Sequence, residues 1–506
     1  MLDVDQTLGE GVTQAGEGGS VTIPAGWTGN DGEAVIVAGT LTITGDAAGS
    51  TVPAILVSRD SDLTLSNLIF DTEFTSVFPQ SGPALGTDGT DTVSGQLWID
   101  TSTVTIENTT FGRAEGSGIL LVDSTVTLTD CTLSDHSALP GIVAVLSTTD
   151  TTVEVTGGQI QDNAGGGLVF WRNSVAGELV ATIRDATFIG NGASALTAHD
   201  ARLTVVDVLF EANQSSVDGA ALTSWGSTTT LERVRFCSNV ATSEAGIVSI
   251  TGSDVDISGA IFQNNTADPG LILGEPAEYE GEGSTMYAQN MTSAWNEGPH
   301  VHGAFTSLYV RNTIFAGGGT AIQLSEATAL DEDFNLFDSP GGLILSEGDS
   351  LDLGYNDLEG DSAFVGSYQA SDCDTYPFLL ASSLAVDAGQ GEDTDGTPAD
   401  IGAMNALAGD WGVVAPEETD TDSDTDTDAD TDTDSDADTD TAPGDSQSDS
   451  GCDPTWDVPN NGVDEDCDGA DAEAYASGGC SCGAVPAHGW VATGALVGLL
   501  LVRRRG

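Results

Sequence analysis

One short motif recurs along the chain and limits what it can fold into: VTIENTTF (104–111), VTLTDCTL (126–133), VEVTGGQI (153–160), ATIRDATF (181–188), LTVVDVLF (203–210) and VDISGAIF (255–262). Each copy is an alternating strand, a turn and an apolar anchor. The anchors Phe111, Leu133, Ile160, Phe188, Phe210, Phe236 and Phe262 are spaced by 22, 27, 28, 22, 26 and 26 residues, and Phe70 and Phe315 extend the series. A unit this small cannot bury its own apolar face, whereas stacked copies bury a continuous one. A period in the twenties made of strands therefore predicts a solenoid whose coils rise by the interstrand spacing of ~4.8 Å. Roughly ten coils would make a rod of about 50 Å. A second apolar strand follows each turn, as in GILLV (118–122), GIVAV (141–145), GLVF (167–170) and GIVSI (246–250).

Three residues past the anchor, Asn163, Asn191, Asn213, Asn239 and Asn265 recur. Stacked coils would set these amides above one another as a hydrogen-bonded asparagine ladder. His136 occupies the same slot in LSDH and reads as a ladder substitute rather than a catalytic base. Aligning the second strands on Leu168, Leu196 and Leu222 turns Phe170, Ala198 and Ser224 inward. Trp171, His199 and Trp225 then point outward on successive coils. Such an aromatic stripe suits stacking on the sugar faces of a long polysaccharide; the alternative is a satellite core covered by a lateral loop. An insert from Asp71 to Asp100 stretches the interval from Phe70 to Phe111 to 41 residues. Its Phe74, Phe78 and Trp98 either line a groove or pack on their own coil.

Two or three strands per coil with asparagine turns resemble the right-handed parallel β-helix of the pectate-lyase-like superfamily, over about residues 20–330. The resemblance implies an all-β, right-handed parallel β-helix solenoid and says little about chemistry, since lyases, hydrolases, adhesins and stalks share that fold. GGSVTIPAGW (18–27) resembles the usual first coil of such proteins. Residues 361–404, ending SSLAVDAGQGEDTDGTPADIGAM, resemble the closing segment of bacterial surface β-helix proteins and imply a C-terminal cap on the rod. There Asp393, Asp395 and Asp400 around Gly396 offer oxygen ligands for calcium, although Asp-Gly turn chemistry alone accounts for DTDG. Polygalacturonase-type members carry NTD, DD and GHG motifs, and this sequence has none of them. Pectate-lyase-type members need a basic residue beside bound calcium. Arg233 and Arg235 are two apart, but two solvated arginines on a strand explain them equally well. His300 and His302 share a face by strand alternation, with no third metal ligand apparent.

Charge and the C-terminal region add a different kind of information. The chain carries 80 acidic residues against 11 basic ones, all Arg, for a net charge of -69. That balance repels phosphate backbones, so nucleic acid is not an expected partner. Between Glu417 and Glu473 lie 23 of the acids and no Arg. TDTDSDTDTDADTDTDSDADTDT (419–441) has no glycine for a calcium-loop turn and no closing glutamate; its self-repulsion predicts a disordered, extended linker. Cys131, Cys237 and Cys373 are scattered and give no disulfide framework, whereas Cys452, Cys467, Cys480 and Cys482 cluster near the end. Pairing of Cys452 with Cys467 fits an oxidising compartment. GVDEDCDG (462–469) resembles the metal-binding motif of the MopE copper-protein type, and Asp464, Asp466, Asp468 and Asp471 are its candidate ligands. All-carboxylate ligands favour calcium over copper.

The last stretch, SGGCSCGAVPAHGWVATGALVGLLLVRRRG, holds a 19-residue apolar segment, 484–502, about 28 Å long as a helix, followed by Arg503, Arg504 and Arg505. It resembles the MYXO-CTERM sorting signal of myxobacteria and relatives. That resemblance implies a transmembrane helix, cleavage by an intramembrane sorting protease near Cys480 or Cys482, and retention at the cell surface or outer membrane of a Gram-negative bacterium. LDVDQTLGEG after Met1 has neither a basic nor an apolar stretch, so no signal peptide is visible: either export uses a sequence upstream, or the inference of export fails.

The expected organisation is β-helix coils over 1–330, further coils and a cap over 331–414, the linker over 415–450, the acidic Cys-containing motif over 451–476 and the sorting signal over 477–506. The expected function is a surface-anchored, non-catalytic rod for polysaccharide binding, adhesion or structure. A surface polysaccharide lyase or glycoside hydrolase and a surface metal-binding protein are the alternatives.

Overall fold

In a computed structural model of the chain, the described residues run from 1 to 403 except 3–5, 28–34, 53–55, 72–94, 138–139, 147–148, 173–175, 243–245, 276–282, 318, 326–327, 339–342, 346–352, 365–372, 374–376 and 392–396. They belong to one compact unit, Met1–Asp420; a second unit is Thr421–Gly506. Outside the described residues lie Phe74, Phe78, Asp393, Asp395, the acidic run, Asp464, Asp466, Asp468, Asp471, Cys452, Cys467, Cys480, Cys482 and the 484–502 segment. Among the described residues no helix is long and apolar enough to cross a membrane, and no group of metal ligands assembles.

Each coil contributes strands to three parallel ladders. The first ladder contains Thr103–Glu107, Thr125–Thr129, Thr151–Thr156, Leu179–Arg184, Arg202–Val206, Thr228–Glu232 and Asp254–Ser258, with Val104, Val126, Val153, Ala181 and Leu203 directly opposite one another. Most of these strands alternate buried and more exposed residues, so β-branched side chains on one side fill the rod while the other side faces water. A single left-handed residue then bends the chain into the second ladder: Asn108 (φ 46°), Asp130 (φ 51°), Asp185 (φ 53°) and Asp207 (φ 55°). Asn and Asp tolerate that conformation through local hydrogen bonding.

The second, anchor ladder has 13 short strands, which is about 60 Å of rod at ~4.8 Å per coil. Phe70, Phe111, Leu133, Ile160, Phe188, Phe210, Phe236, Phe262, Ser293, Phe315 and Phe337 stand opposite one another along it. Except for Ser293 they form the spine of the core, with rings stacked coil on coil at 4.4–5.4 Å. Each buried phenylalanine contributes roughly 2–3 kcal/mol.

The turn after the anchor is closed by amides. Nδ2 of Asn163 donates to Oδ1 of Asn191 at 3.0 Å, Asn191 to Asn213 at 2.9 Å, and Asn213 to Asn239 and Asn239 to Asn265 at 3.0 Å each. The other amide hydrogen goes to the carbonyls of Leu133, Ile160, Phe188, Phe210 and Phe236. Asn296 adds a sixth rung, bonded to Asn265 at 3.0 Å. It escapes the sequence pattern because Ser293 stands where an apolar anchor is expected. The space left by that serine is filled by His300, 1% exposed and edge-on to Phe315. His136 ends the ladder, its Nδ1 2.7 Å from Asn163 Oδ1, which can only accept and so takes the Nδ1 proton.

The third ladder includes Ser117–Val122, Ile142–Leu146, Leu168–Arg172, Leu196–His199, Leu222–Trp225, Val248–Thr251 and Ile272–Glu275. Coils pass so close before it that a Cβ on Gly167 would overlap the Ala195 carbonyl, which explains the glycines that open these strands. The one helix among the described residues, Leu8–Ala15, is absent from the all-β reading. A capping box between Thr7 and Glu10 starts it, and Leu8 plugs the N-terminal end of the core.

The C-terminal segment departs from the expected end cap. Residues 378–391 and 397–403 lie along the outer side of the anchor ladder, where Leu379, Ala385 and Ile401 pack on Ala294, Ile314, Ala316 and Leu336. Ala403 packs on Ile261, and its N–H donates to Thr292 Oγ1 at 2.9 Å. Asp400 is 6% exposed and accepts the Asp387 N–H at 2.8 Å, a turn within this strap. Cys237 and Cys373, which the sequence leaves unassigned, form a disulfide with Cα atoms 5.8 Å apart and a sequence separation of 136. Arg235 is not solvated either: it is 9% exposed beneath the strap and donates to the Cys373 carbonyl.

Two stability outcomes follow. Asn213→Ala removes one rung and strands buried partners on both sides, so urea unfolding should show a loss of roughly 3 kcal/mol, against less than ~0.5 kcal/mol for the outward control Thr204→Ala. Cys237→Ser should cost about 3 kcal/mol in the same assay under oxidising conditions and almost nothing when wild type and variant are both reduced.

Candidate binding surface

Strand alternation decides which side chains the third ladder exposes. Leu168, Phe170, Leu196, Ala198, Leu222 and Ser224 are all 0% exposed and fill the rod. Trp171, His199 and Trp225 occupy the intervening positions, directly opposite one another on three successive coils. Both tryptophans are 40% exposed, and His199 is half-buried between them, with Nδ1 3.1 Å from Asp200 Oδ2.

The orientation of the rings differs from the sequence expectation. Trp171 and His199 stack on each other, centroids 4.4 Å apart and planes 10° apart; His199 and Trp225 are 5.1 Å apart and tilted by 42°. Registered stacking turns the flat faces along the rod, toward neighbouring rings, so the row presents mainly edges to solvent. The far side of Trp225 is more open. Its neighbour one coil on is Thr251, too short to cover an indole. A sugar ring can lie on that face while the remaining edges and indole N–H groups give polar contacts.

A second exposed aromatic pair escapes the sequence reading. Tyr287 and Tyr309 stand opposite each other on the first ladder, stacked at 4.4 Å with planes 6° apart, and Tyr287 is 47% exposed. The available signal was the alignment of STMYAQ (284–289) with TSLYVR (306–311). Trp98, in Gly95–Asp100, is half-buried opposite Leu120.

The titratable candidates serve the framework. His300 Nε2 donates to the Gly317 carbonyl at 2.8 Å, so its Nδ1 accepts from Ser293 Oγ at 2.5 Å. Burial pushes its pKa down to about 4. Only His302 is partly exposed, so the two histidines share no metal-binding face. Arg233 chelates Asp207 through Nε and Nη2, both at 2.8 Å, and also contacts Glu232. Glu332 and Asp357 accept the same Gly354 N–H, at 2.8 and 2.7 Å. Burial first, and then the neighbouring Asp357, pushes the Glu332 carboxyl up to about 8. This pair fastens the last coils: Asn335 N–H donates to Asp357 Oδ1 at 2.8 Å.

Residues 27–180 match the family model described as right handed beta helix region. That stretch is a right-handed β-helix. No curated protein matches the sequence. Among solved structures, the β-helix is similar to PfbA, a surface adhesin of Streptococcus pneumoniae, with 12% identity and a TM-score of 0.35 over 67% of this chain and 89% of that one. It is also similar to the Siphovirus 9NA tailspike receptor binding domain, with 12% identity and a TM-score of 0.32 over 71% of this chain and 77% of that one. Likenesses of this size carry no argument about what the β-helix binds.

Glu332 yields a pH dependence of defined sign. Between about pH 4.5 and 8 the folded chain holds a proton that the unfolded chain has released, so this group's contribution to stability is full at low pH and is lost as pH rises through about 8. Comparing urea midpoints at pH 5 and 8, Glu332→Gln should be less sensitive to the rise than wild type.

Proposed function

We propose that this chain is a non-catalytic binding rod of the cell surface, which holds a polysaccharide along the third ladder of its β-helix. One observation supports the reading above others. Trp171 and Trp225, each 40% exposed, flank His199 in a continuous aromatic row on a rigid sheet, with the outer face of Trp225 open above Thr251. Exposed aromatic surface of this kind marks a contact site, and an extended rod suits an extended polymer. In this reading the Asp/Thr-rich run 415–450 is a stalk between the rod and the anchoring signal 477–506, and the acidic 451–476 motif is a calcium-binding knot on that stalk. Cys480 or Cys482 is where sorting acts. Catalysis is not required: the buried Arg235 and the raised carboxyl of Glu332 are each engaged within the framework and do not converge on one cleft.

The full chain, with calcium present, should be retained on one or more members of an immobilised polysaccharide panel. Trp225→Ala should weaken retention about tenfold, because its outer face stands open beside Thr251, and Trp171→Ala should weaken it too. Retention untouched by both substitutions removes the aromatic row from the function, and release of new reducing or unsaturated ends would make the β-helix an enzyme.

A further inference from the structure

On the outer side of the first ladder, Asp254 stands opposite Thr285 and Asp256 opposite Tyr287. The next two coils place Tyr309 opposite Tyr287 and Asp331 opposite Tyr309, so the stacked tyrosines are framed by carboxylates at both ends. The two ends differ. At the Tyr309 end, Asp331 is held by Arg311 at 2.8 Å. At the Tyr287 end, Asp254 and Asp256 are both exposed and have no ion-pair partner among the described residues.

The aspartate side chain is much shorter than tyrosine. In register, Asp256 therefore leaves the free face of Tyr287 uncovered. The result is an open aromatic face bordered by two uncompensated carboxylates. A ring quadrupole and carboxylate oxygens both attract positive charge, and an organic ammonium can touch the ring and donate to the carboxylates at once. The register continues from Asp256 through Thr230, Thr204 and Thr182, giving one hydroxyl per coil at about 4.8 Å. That row suits a polyhydroxylated chain. A basic peptide would need a carboxylate at each step, whereas the three coils beyond Asp256 offer threonine before the row reaches Glu154.

We propose that Asp254, Asp256 and Tyr287 form a slot for the ammonium group of an amino-sugar polymer, whose hydroxyls follow Thr230, Thr204 and Thr182 along the rod. The slot lies on a different ladder from the tryptophan row and does not rest on it.

The test is calorimetry on the full chain with three probes: a glucosamine hexasaccharide, its fully N-acetylated counterpart and hexalysine. The 23 acids between Glu417 and Glu473 remain in every variant, so diffuse attraction is common to all measurements. Glucosamine hexasaccharide should bind at least tenfold more tightly than either other probe. Asp254→Asn/Asp256→Asn, which preserves side-chain shape, should weaken it about tenfold, and Tyr287→Leu should weaken it too, with Glu115→Gln, which removes an exposed carboxylate away from the slot, without effect. Absence of binding, binding indifferent to the asparagine pair, or hexalysine bound as tightly as the amino sugar would each overturn the proposal.

Discussion

Coil-to-coil register is the constraint on which the rest of this molecule depends. Parallel stacking satisfies the backbone of every strand, but each turn still brings polar groups into the interior, where an unpaired amide costs several times what a formed hydrogen bond returns. The asparagine ladder meets that demand, because an amide has both donors and an acceptor and so can serve its own coil and the next. It also dictates where the repeat can vary. The anchor and its ladder residue stay three apart even as successive rungs are 22 to 31 residues apart, and added length goes elsewhere, as between Asn213 and Leu222.

Register also governs what the surface can offer. Identical positions overlap, so neighbouring aromatic side chains stack on one another and lose their flat faces to solvent. An open ring face arises only where a run of rings meets a shorter neighbour. Trp225 above Thr251 and Tyr287 above Asp256 are two such places, on different ladders. In a stacked β-helix, recognition is therefore concentrated at interruptions of the repeat.

Much of this was legible in the sequence, because burial and register write the same residue types at the same offset. The anchors from Phe70 to Phe315 and the ladder from Asn163 to Asn265 follow directly from that periodicity. Asn296 and the core role of His300 were hidden because Ser293 and His300 trade volumes: Ser293 gives up the anchor and His300, seven residues on, fills the gap. Alternation gave the side on which Trp171, His199 and Trp225 lie, but carries no information about the plane of a ring. The strap was missed because it pairs residues remote in sequence, although a local trace existed. The outward position before the anchor is polar at Thr110, Thr132, Gln159 and Thr187, whereas farther on it is apolar at Leu209, Ile261, Ile314 and Leu336, interrupted by Arg235 and Thr292. That change marks the beginning of a covered face.

The Cys237–Cys373 bond has a mechanical meaning. A solenoid under tension at its C-terminal side would ordinarily unspool one coil at a time, since each coil is held only by its neighbours. Here the strap carries the load to Cys373 and across to Cys237, so the coils between them form a covalently closed loop outside the tensioned path. Pulling shears the strap from the rod's flank before it can peel a coil from the rod's end.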